Sequence, residues 1–250
     1  MEILSSDILV YLIETFLDDI DKVNLISVSS NYYSLVCKLT FNNLMNHNLV
    51  NNLSYYDSFT NLIINSNEIT LPKKIKCITF EDYFDDPILG FIPNSVSHLT
   101  FGDEFNQSIK GYIPNSVTHL TFRTYFDQSI EDCIPNSVTH LTFGIWFNQP
   151  IKVCIPNSVI DLTFGIFFNQ LIEDCIPNSV TRLTFGYDFN QPIKDCIPNS
   201  VTHLTFGGNF NQPIEGCILK SVTHLTFYGK NKRELYEKDI PKSVKNIMFK

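Results

Sequence analysis

The decapeptide IPNSVTHLTF occupies Ile113–Phe122. It returns unchanged as Ile134–Phe143, and with Arg182 as its one difference as Ile176–Phe185. Its opening, Ile-Pro-Asn-Ser-Val, begins at Ile92, Ile113, Ile134, Ile155, Ile176 and Ile197, always 21 residues apart. Weaker copies flank this run: LPKKI at Leu71, ILKSV at Ile218 and IPKSV at Ile240, the last after an interval of 22. A fixed period of this kind marks a solenoid or a propeller. Twenty-one residues are too few for a four-stranded blade but enough for one coil of a solenoid. One coil cannot bury its apolar side, whereas stacked coils can.

Counting the Ile of Ile-Pro as position 1, Val at 5, Leu at 8, Phe at 10, Phe at 14 and Ile at 18 form the inward ladders. Positions 6–10, Thr-His-Leu-Thr-Phe, alternate as a short strand does, with Leu and Phe inward and His and Thr outward. Copies of this strand stack in parallel along one side. Gly at position 11 (Gly102, Gly144, Gly165, Gly186, Gly207) reads as a turn glycine free to take positive φ. Asn-Gln at positions 15 and 16 supplies amides that can satisfy buried backbone groups. Pro at position 2 holds the preceding Ile extended. Coils therefore start at 71, 92, 113, 134, 155, 176, 197 and 218, with a partial one at 240. Residues 1–50 form a separate helical module, 51–70 a connector and 71–250 the array.

The chain has 250 residues and a formal charge of -8, which argues against a nucleic-acid partner. The charge is uneven: from Ile218 to Lys250 it is net +5, against -13 for the rest. No apolar run reaches the length of a membrane span, and the start, MEILSSDILVYLIETFLDDID, lacks a basic region followed by a cleavage site. Seven cysteines, five of them in the repeat, fit small buried hydrophobes better than disulfides or zinc ligands. These features point to an intracellular, cytoplasmic protein with no membrane partner and no cofactor.

Phe-Asn-Gln-Pro-Ile (Phe147–Ile151, Phe189–Ile193, Phe210–Ile214) followed by Ile-Pro-Asn-Ser-Val resembles the FNIP repeat family. That resemblance implies a leucine-rich-repeat-like solenoid with a protein-binding surface, of a kind common in amoebae and their giant DNA viruses. In a viral case the expected place is the host cytoplasm. Two coils depart from the pattern: Asp85-Asp86 replaces Asn-Gln, and Asn231 stands where Phe is expected.

In the first fifty residues, Ser6 or Asp7 can cap a helix whose Ile8, Leu9, Leu12, Ile13 and Phe16 share a stripe. Val23–Val28 and Tyr32–Phe41 are also apolar and periodic. Leu4-Ser5-Ser6-Asp7-Ile8-Leu9, then Val28-Ser29, Tyr32 and Leu35-Val36, resemble an F-box, with Ser5 where that family has Pro. The resemblance implies binding of a Skp1-type adaptor, and by position it assigns that contact or its support to Leu4, Ile8, Leu9, Leu12, Ile13 and Val28. A plain helical cap over the open end of the solenoid is the alternative. With the repeats, the expected fold class is α+β: an F-box-like helical module, then a solenoid of 21-residue coils with a short parallel β-sheet on one side.

On the array, position 7 reads His98, His119, His140, Asp161, Arg182, His203, His224. A row of imidazoles can bind metal, but no chelating carboxylates accompany it, so it reads as an exposed polar ladder broken by Asp161 and Arg182. Positions 12 and 13 vary most, and they are apolar in the middle coils, including Tyr125, Trp146, Phe167 and Tyr187. Apolar residues rimmed by polar ones mark contact surfaces, unless position 13 turns inward and these rings are core. The candidate target-binding set is Tyr125, His140, Trp146, Asp161, Phe167, Arg182 and Tyr187. No phosphate loop, zinc-protease helix or nucleophile elbow is present, so the expectation is a binding protein that is not an enzyme. It would be the substrate receptor of a Skp1–cullin–F-box ubiquitin ligase with an unknown target, or else a repeat scaffold without a ligase link.

Overall fold

The computed structural model describes residues 6–28, 38–229 and 232–250. Its centre is a parallel sheet of eleven strands whose order in space is their order in the chain. The strands are β1 Met45–Asn46, β2 Asn61–Ile64, β3 Cys77–Phe80, β4 His98–Thr100, β5 His119–Thr121, β6 His140–Thr142, β7 Asp161–Thr163, β8 Arg182–Thr184, β9 His203–Phe206, β10 His224–Phe227 and β11 Asn246–Phe249. Helices α1 (Ser6–Phe16) and α2 (Asp19–Val28) precede them, α3 (His47–Val50) follows β1, and α4 (Lys232–Tyr236) precedes β11.

Each repeat winds once. Leu99, Leu120, Leu141, Leu162, Leu183, Leu204 and Leu225 are successive partners in the ladder. The sheet also starts before the recognisable repeats. Met45 pairs with Leu62, 17 residues on, and Leu62 with Ile78, 16 residues on. β1 and β2 therefore lie within stretches read from sequence as helical module and connector. These shorter coils keep the inward positions, since Leu62 and Ile64 are buried like Ile78 and Phe80, but they lack the 21-residue spelling.

Three turns shape a coil. The Val N–H at position 5 donates to the Pro carbonyl at position 2, as Val138 does to Pro135 at 3.1 Å. In several coils the position 14 N–H also donates to the position 11 carbonyl, as Phe147 does to Gly144 at 3.4 Å. The position 21 N–H donates to position 18, as Cys133 does to Ile130 at 3.1 Å. Positive φ is confined to this last turn in the regular coils, at position 20: Gly90, Gly111 and Gly216, but also Asp132, Val153, Asp174 and Asp195. The position 11 glycines do not use positive φ, which corrects the sequence reading. They are needed because the coils touch there. A Cβ on Gly165 would sit 1.7 Å from the Gly144 carbonyl oxygen, and one on Gly186 1.8 Å from that of Gly165.

Phe101, Phe122, Phe143, Phe164, Phe185 and Phe206 are buried, as are Phe105, Phe126, Phe147, Phe168, Phe189 and Phe210. The closest ring pairs lie within a coil, as in Phe143–Phe147 at 3.9 Å. Successive coils follow at 5.7 Å for Phe143–Phe164 and 6.1 Å for Phe147–Phe168. The irregular last coil replaces its missing ring with Tyr236, stacked at 4.7 Å on Phe227. Its hydroxyl donates to the Phe210 carbonyl at 3.2 Å, and the buried Lys232 amine donates to the same oxygen. Asn231 itself lies outside the described residues.

On the outward face, the imidazoles of His98, His119 and His140 stack at 4.1 Å, and so do His203 and His224. Their tautomer follows from neighbouring bonds. Thr118 spends its one proton on the Ser97 carbonyl at 3.1 Å, so the 2.9 Å contact to His119 requires Nδ1–H to donate. The same holds at Thr139–His140 and Thr223–His224. At His224 the free Nε2 accepts from the Asn246 amide at 2.8 Å. Burial pushes the His119 imidazole below its usual pKa, and His98 and His140 push the same way. Burial lowers His203 too, with His224 and Arg182, against Asp161.

Val153 is a β-branched residue held at φ 61° and 88% exposed, so it carries backbone strain without a packing return. Val153→Gly should stabilise the protein by about 0.5–1 kcal/mol, read as a raised urea midpoint at unchanged m-value. Because folding lowers the pKa of His119 and His203, the unfolded chain binds more protons as the medium acidifies. Their contribution is complete above about pH 6.5 and is lost as pH falls through the lowered folded values. The melting temperature should therefore fall between about pH 7.5 and 5.5, and fall less in His119→Gln.

Candidate interaction surface

Beyond the strand ends the parallel pairing resumes at positions 12 and 13. The Trp146 N–H donates to the Thr124 carbonyl at 3.0 Å, Phe167 to Ile145 at 3.0 Å, and Asp188 to Ile166 at 2.8 Å. With the backbone fixed in this way, position 14 faces the core and position 13 faces out. Tyr125 is 45%, Trp146 48% and Tyr187 56% exposed, and Phe167 is half-buried. The rings are thus at the surface, not in the core. Tyr125 stacks on Trp146 at 6.4 Å, and Trp146 packs on Phe167 at 4.4 Å.

Beside this row runs a groove of about 780 Å³, lined by Trp146, Phe167, Asp127, Asp188 and five asparagines. Its asparagines belong largely to position 15, where the side-chain oxygens of Asn148, Asn169 and Asn190 accept the backbone N–H of the next coil. Asn148 Oδ1 accepts from Asn169 at 2.9 Å, and Asn169 Oδ1 from Asn190 at 2.9 Å. The glutamine of the next coil donates to the same residue, as Gln170 does to the Asn148 carbonyl at 2.9 Å. Two charged members, Asp85 and Asp127, do the same work as pure acceptors, from Asn106 at 2.8 Å and Asn148 at 2.9 Å. This ladder satisfies backbone N–H groups along the half-buried turn and orients each amide, leaving Nδ2 as its remaining donor.

The target-binding residues expected from sequence fall into two sets. His140, Asp161 and Arg182 are consecutive partners on the outward face of the sheet. Tyr125, Trp146, Phe167 and Tyr187 lie on the edge, and Trp146 and Phe167 line the groove, whose lining includes none of the first set. Asp127, Asp188 and the asparagine row escaped the sequence reading, which took position 15 as turn chemistry alone. The signal was the variable pair at 12 and 13 lying two residues from that row.

At the other end, α1 and α2 are fixed to the start of the solenoid by a buried cation. Lys22 Nζ contacts Glu14 at 2.8 Å and Asp19 at 3.2 Å, and donates to the Thr40 carbonyl at 2.9 Å. Glu14 accepts the Thr40 N–H at 2.6 Å, and Asp19 the Asn43 N–H at 2.5 Å. Burial opposes ionisation of Glu14, but Lys22 and the Thr40 N–H outweigh it and hold the carboxyl below its usual pKa. Burial likewise opposes the charge on Lys22, and Glu14 and Asp19 raise its pKa regardless. Ile13 is buried in the common core and Leu9 packs against it, whereas Tyr11, Leu12 and Ile20 are exposed. Of the residues that the F-box resemblance assigns to the adaptor, Ile13 faces the solenoid core and Leu12 is exposed. Leu4 lies outside the described residues, as do the side chains of Ile8 and Val28.

Burial raises the thiol pKa of Cys133, Cys154, Cys175, Cys196 and Cys217. Each Sγ faces a carbonyl two residues back, at 3.2 Å in Cys133 and Cys175. That is the setting of packed thiols, not of metal-bound thiolates. No helix among the described residues is long and apolar enough to cross a membrane.

Known proteins match this architecture. A curated relative from Acanthamoeba polyphaga mimivirus, provisionally named an F-box and FNIP repeat-containing protein, is 30% identical over an alignment of 105 positions. The alignment covers 35% of this chain and 35% of the relative. The crystal structure of CroV588, described as a circular leucine-rich-repeat protein, superposes with a TM-score of 0.64 at 38% identity, over 77% of this chain and 34% of that one. The chain thus spans about a third of the length of these relatives. The solenoid fold is typical of interaction scaffolds. The FNIP Repeat model matches residues 65–104, 105–145, 147–188, 168–209, 189–230 and 210–250, and the chain belongs to the FNIP repeat family.

Proposed function

We propose that this chain is a target-binding subunit of a Skp1–cullin–F-box ubiquitin ligase. In this reading the helical segment docks a Skp1-type adaptor, and the solenoid holds a target protein for ubiquitin transfer by other subunits. The observation that carries the proposal is the seating of α1 and α2 on the first coil through Lys22, Glu14 and Asp19. A receptor must hold its target in a defined place relative to the adaptor, and a helical pair bonded to the solenoid through a buried ion pair suits that task. The printed name of the mimivirus relative supports it. The burial of Ile13 in the common core favours a second reading, in which the helices only cap the solenoid and the chain is a scaffold without a ligase link.

A pull-down of the intact protein with a Skp1-type adaptor separates the two. The receptor reading expects capture that Leu12→Asp abolishes at unchanged melting temperature, since Leu12 is exposed. No capture by the folded wild-type protein rejects it. Once a target is in hand, Trp146→Ala should weaken its capture about tenfold or more without unfolding the protein, as expected of a half-exposed aromatic anchor. Arg182→Ala should also weaken capture, by a smaller factor. If both variants instead melt early, these side chains serve the fold and the target surface lies elsewhere.

A further inference from the structure

The charge on the groove edge is one-sided. Positions 11–16 of the seven coils from Glu81 to Gln212 carry eight carboxylates and a single cation. Four carboxylates, Glu81, Asp82, Asp85 and Asp86, stand in one coil, and Asp103 and Glu104 in the next. Asp127 and Asp188 stand beside the aromatic row. The cation is Arg123, and its guanidinium is already paired with Asp82 at 2.7 Å. Over these seven coils the edge is net -7; the cations Lys230, Lys232 and Arg233 enter only in the next coil, beyond the aromatic row. Several of these carboxylates also accept bonds within the fold, Asp127 from the Asn148 N–H and Asp188 from the Asn209 amide. Those bonds hold them in place and leave their charge unneutralised.

The order along position 13 is Glu104, Tyr125, Trp146, Phe167, Asp188: three aromatic rings with a carboxylate at each end. We propose that this edge docks an extended basic segment of a partner protein, running along the solenoid axis. A nucleic acid is repelled by the same field. Four coil steps of about 4.8 Å separate Glu104 from Asp188, roughly 19 Å. An extended chain covers that span in about six residues, and its alternate side chains face one way. The best fit is therefore a heptapeptide with Arg at its first and last positions and apolar side chains at its third and fifth. The end guanidiniums meet Glu104 and Asp188, with Asp127 strengthening the field between them, and the apolar side chains lie on Trp146 and its neighbours. This inference rests on the reading of the solenoid as a target-binding surface and names the chemistry of that target.

Trp146 is the chain's single tryptophan, so its emission reports the site directly. The intact protein is titrated with acetyl-Arg-Ser-Leu-Ser-Leu-Ser-Arg-amide and with the same peptide carrying Glu for both Arg. The expected result is a saturable change for the Arg peptide alone, weakened about fivefold or more by about 0.5 M NaCl. The triple variant Glu104→Gln, Asp127→Asn, Asp188→Asn should bind about tenfold more weakly. Asp127→Asn alone, which installs the residue that five other coils carry at that position, should weaken binding by a smaller factor and serves if the triple variant folds poorly. Equal response to both peptides, no saturable response to either, or unchanged affinity in folded charge-neutral variants overturns the proposal. Capture of a target with no change at Trp146 leaves the interaction reading standing and ends this one.

Discussion

Everything in this fold depends on the backbone pairing of each coil with the next, at the roughly 4.8 Å spacing of a parallel sheet. At that spacing, in register, every residue meets its own equivalent. Only side chains that tolerate their own company can fill a regular position. Phenylalanine stacks on phenylalanine, and an asparagine accepts both the backbone N–H and the glutamine amide of the coil that follows. Serine does the same at position 4, where Ser137, Ser158, Ser179 and Ser200 each donate to a carbonyl of the preceding coil at 2.7 Å. Histidine fits because its ring stacks on the next and its Nδ1–H is taken by a local threonine hydroxyl. Longer runs of identical charge are disfavoured by repulsion; like carboxylates stand at most in neighbouring pairs, as at Asp174 and Asp195.

The same constraint separates stability from function. Positions facing the core and the ladders are spelled alike in nearly every coil because one substitution would disturb two neighbours. Cutting a buried Phe to Ala costs about 3–5 kcal/mol in such a core. Positions 12 and 13 escape that rule, since their backbone is held by the coil before while their side chains face water. They are free to differ from coil to coil, and a distinct surface of rings between carboxylates arises there.

The ends of the stack need other solutions, because the last coil on each side has no equivalent to meet. At the start, Asp85 takes the place of asparagine as an acceptor for the next coil, and Lys22 draws the two helices onto the first turns through Glu14 and Asp19. In the last coil, Lys232 and Tyr236 supply donors to the Phe210 carbonyl and Tyr236 supplies a ring. These local exceptions are made of charged and polar groups whose worth depends on partners distant in sequence, such as Lys22 and Thr40.

The 21-residue spacing was enough to determine the solenoid, the inward rows at positions 5, 8, 10, 14 and 18, and the outward histidines, because a period fixes which residues repeat on one face. It was also enough to single out Trp146 and Tyr187 as members of a variable row. Only the tertiary structure decided that the position 11 glycines answer a backbone-to-backbone approach, since φ and inter-coil distance leave no trace in composition. It alone placed β1 and β2 in the sheet, because their 16- and 17-residue coils keep the burial pattern without the motif. It also brought Asp127 and Asp188 to the aromatic groove and took Ile13 into the core. Those placements depend on contacts between coils and between helix and coil, which the spacing of residues along one chain does not encode.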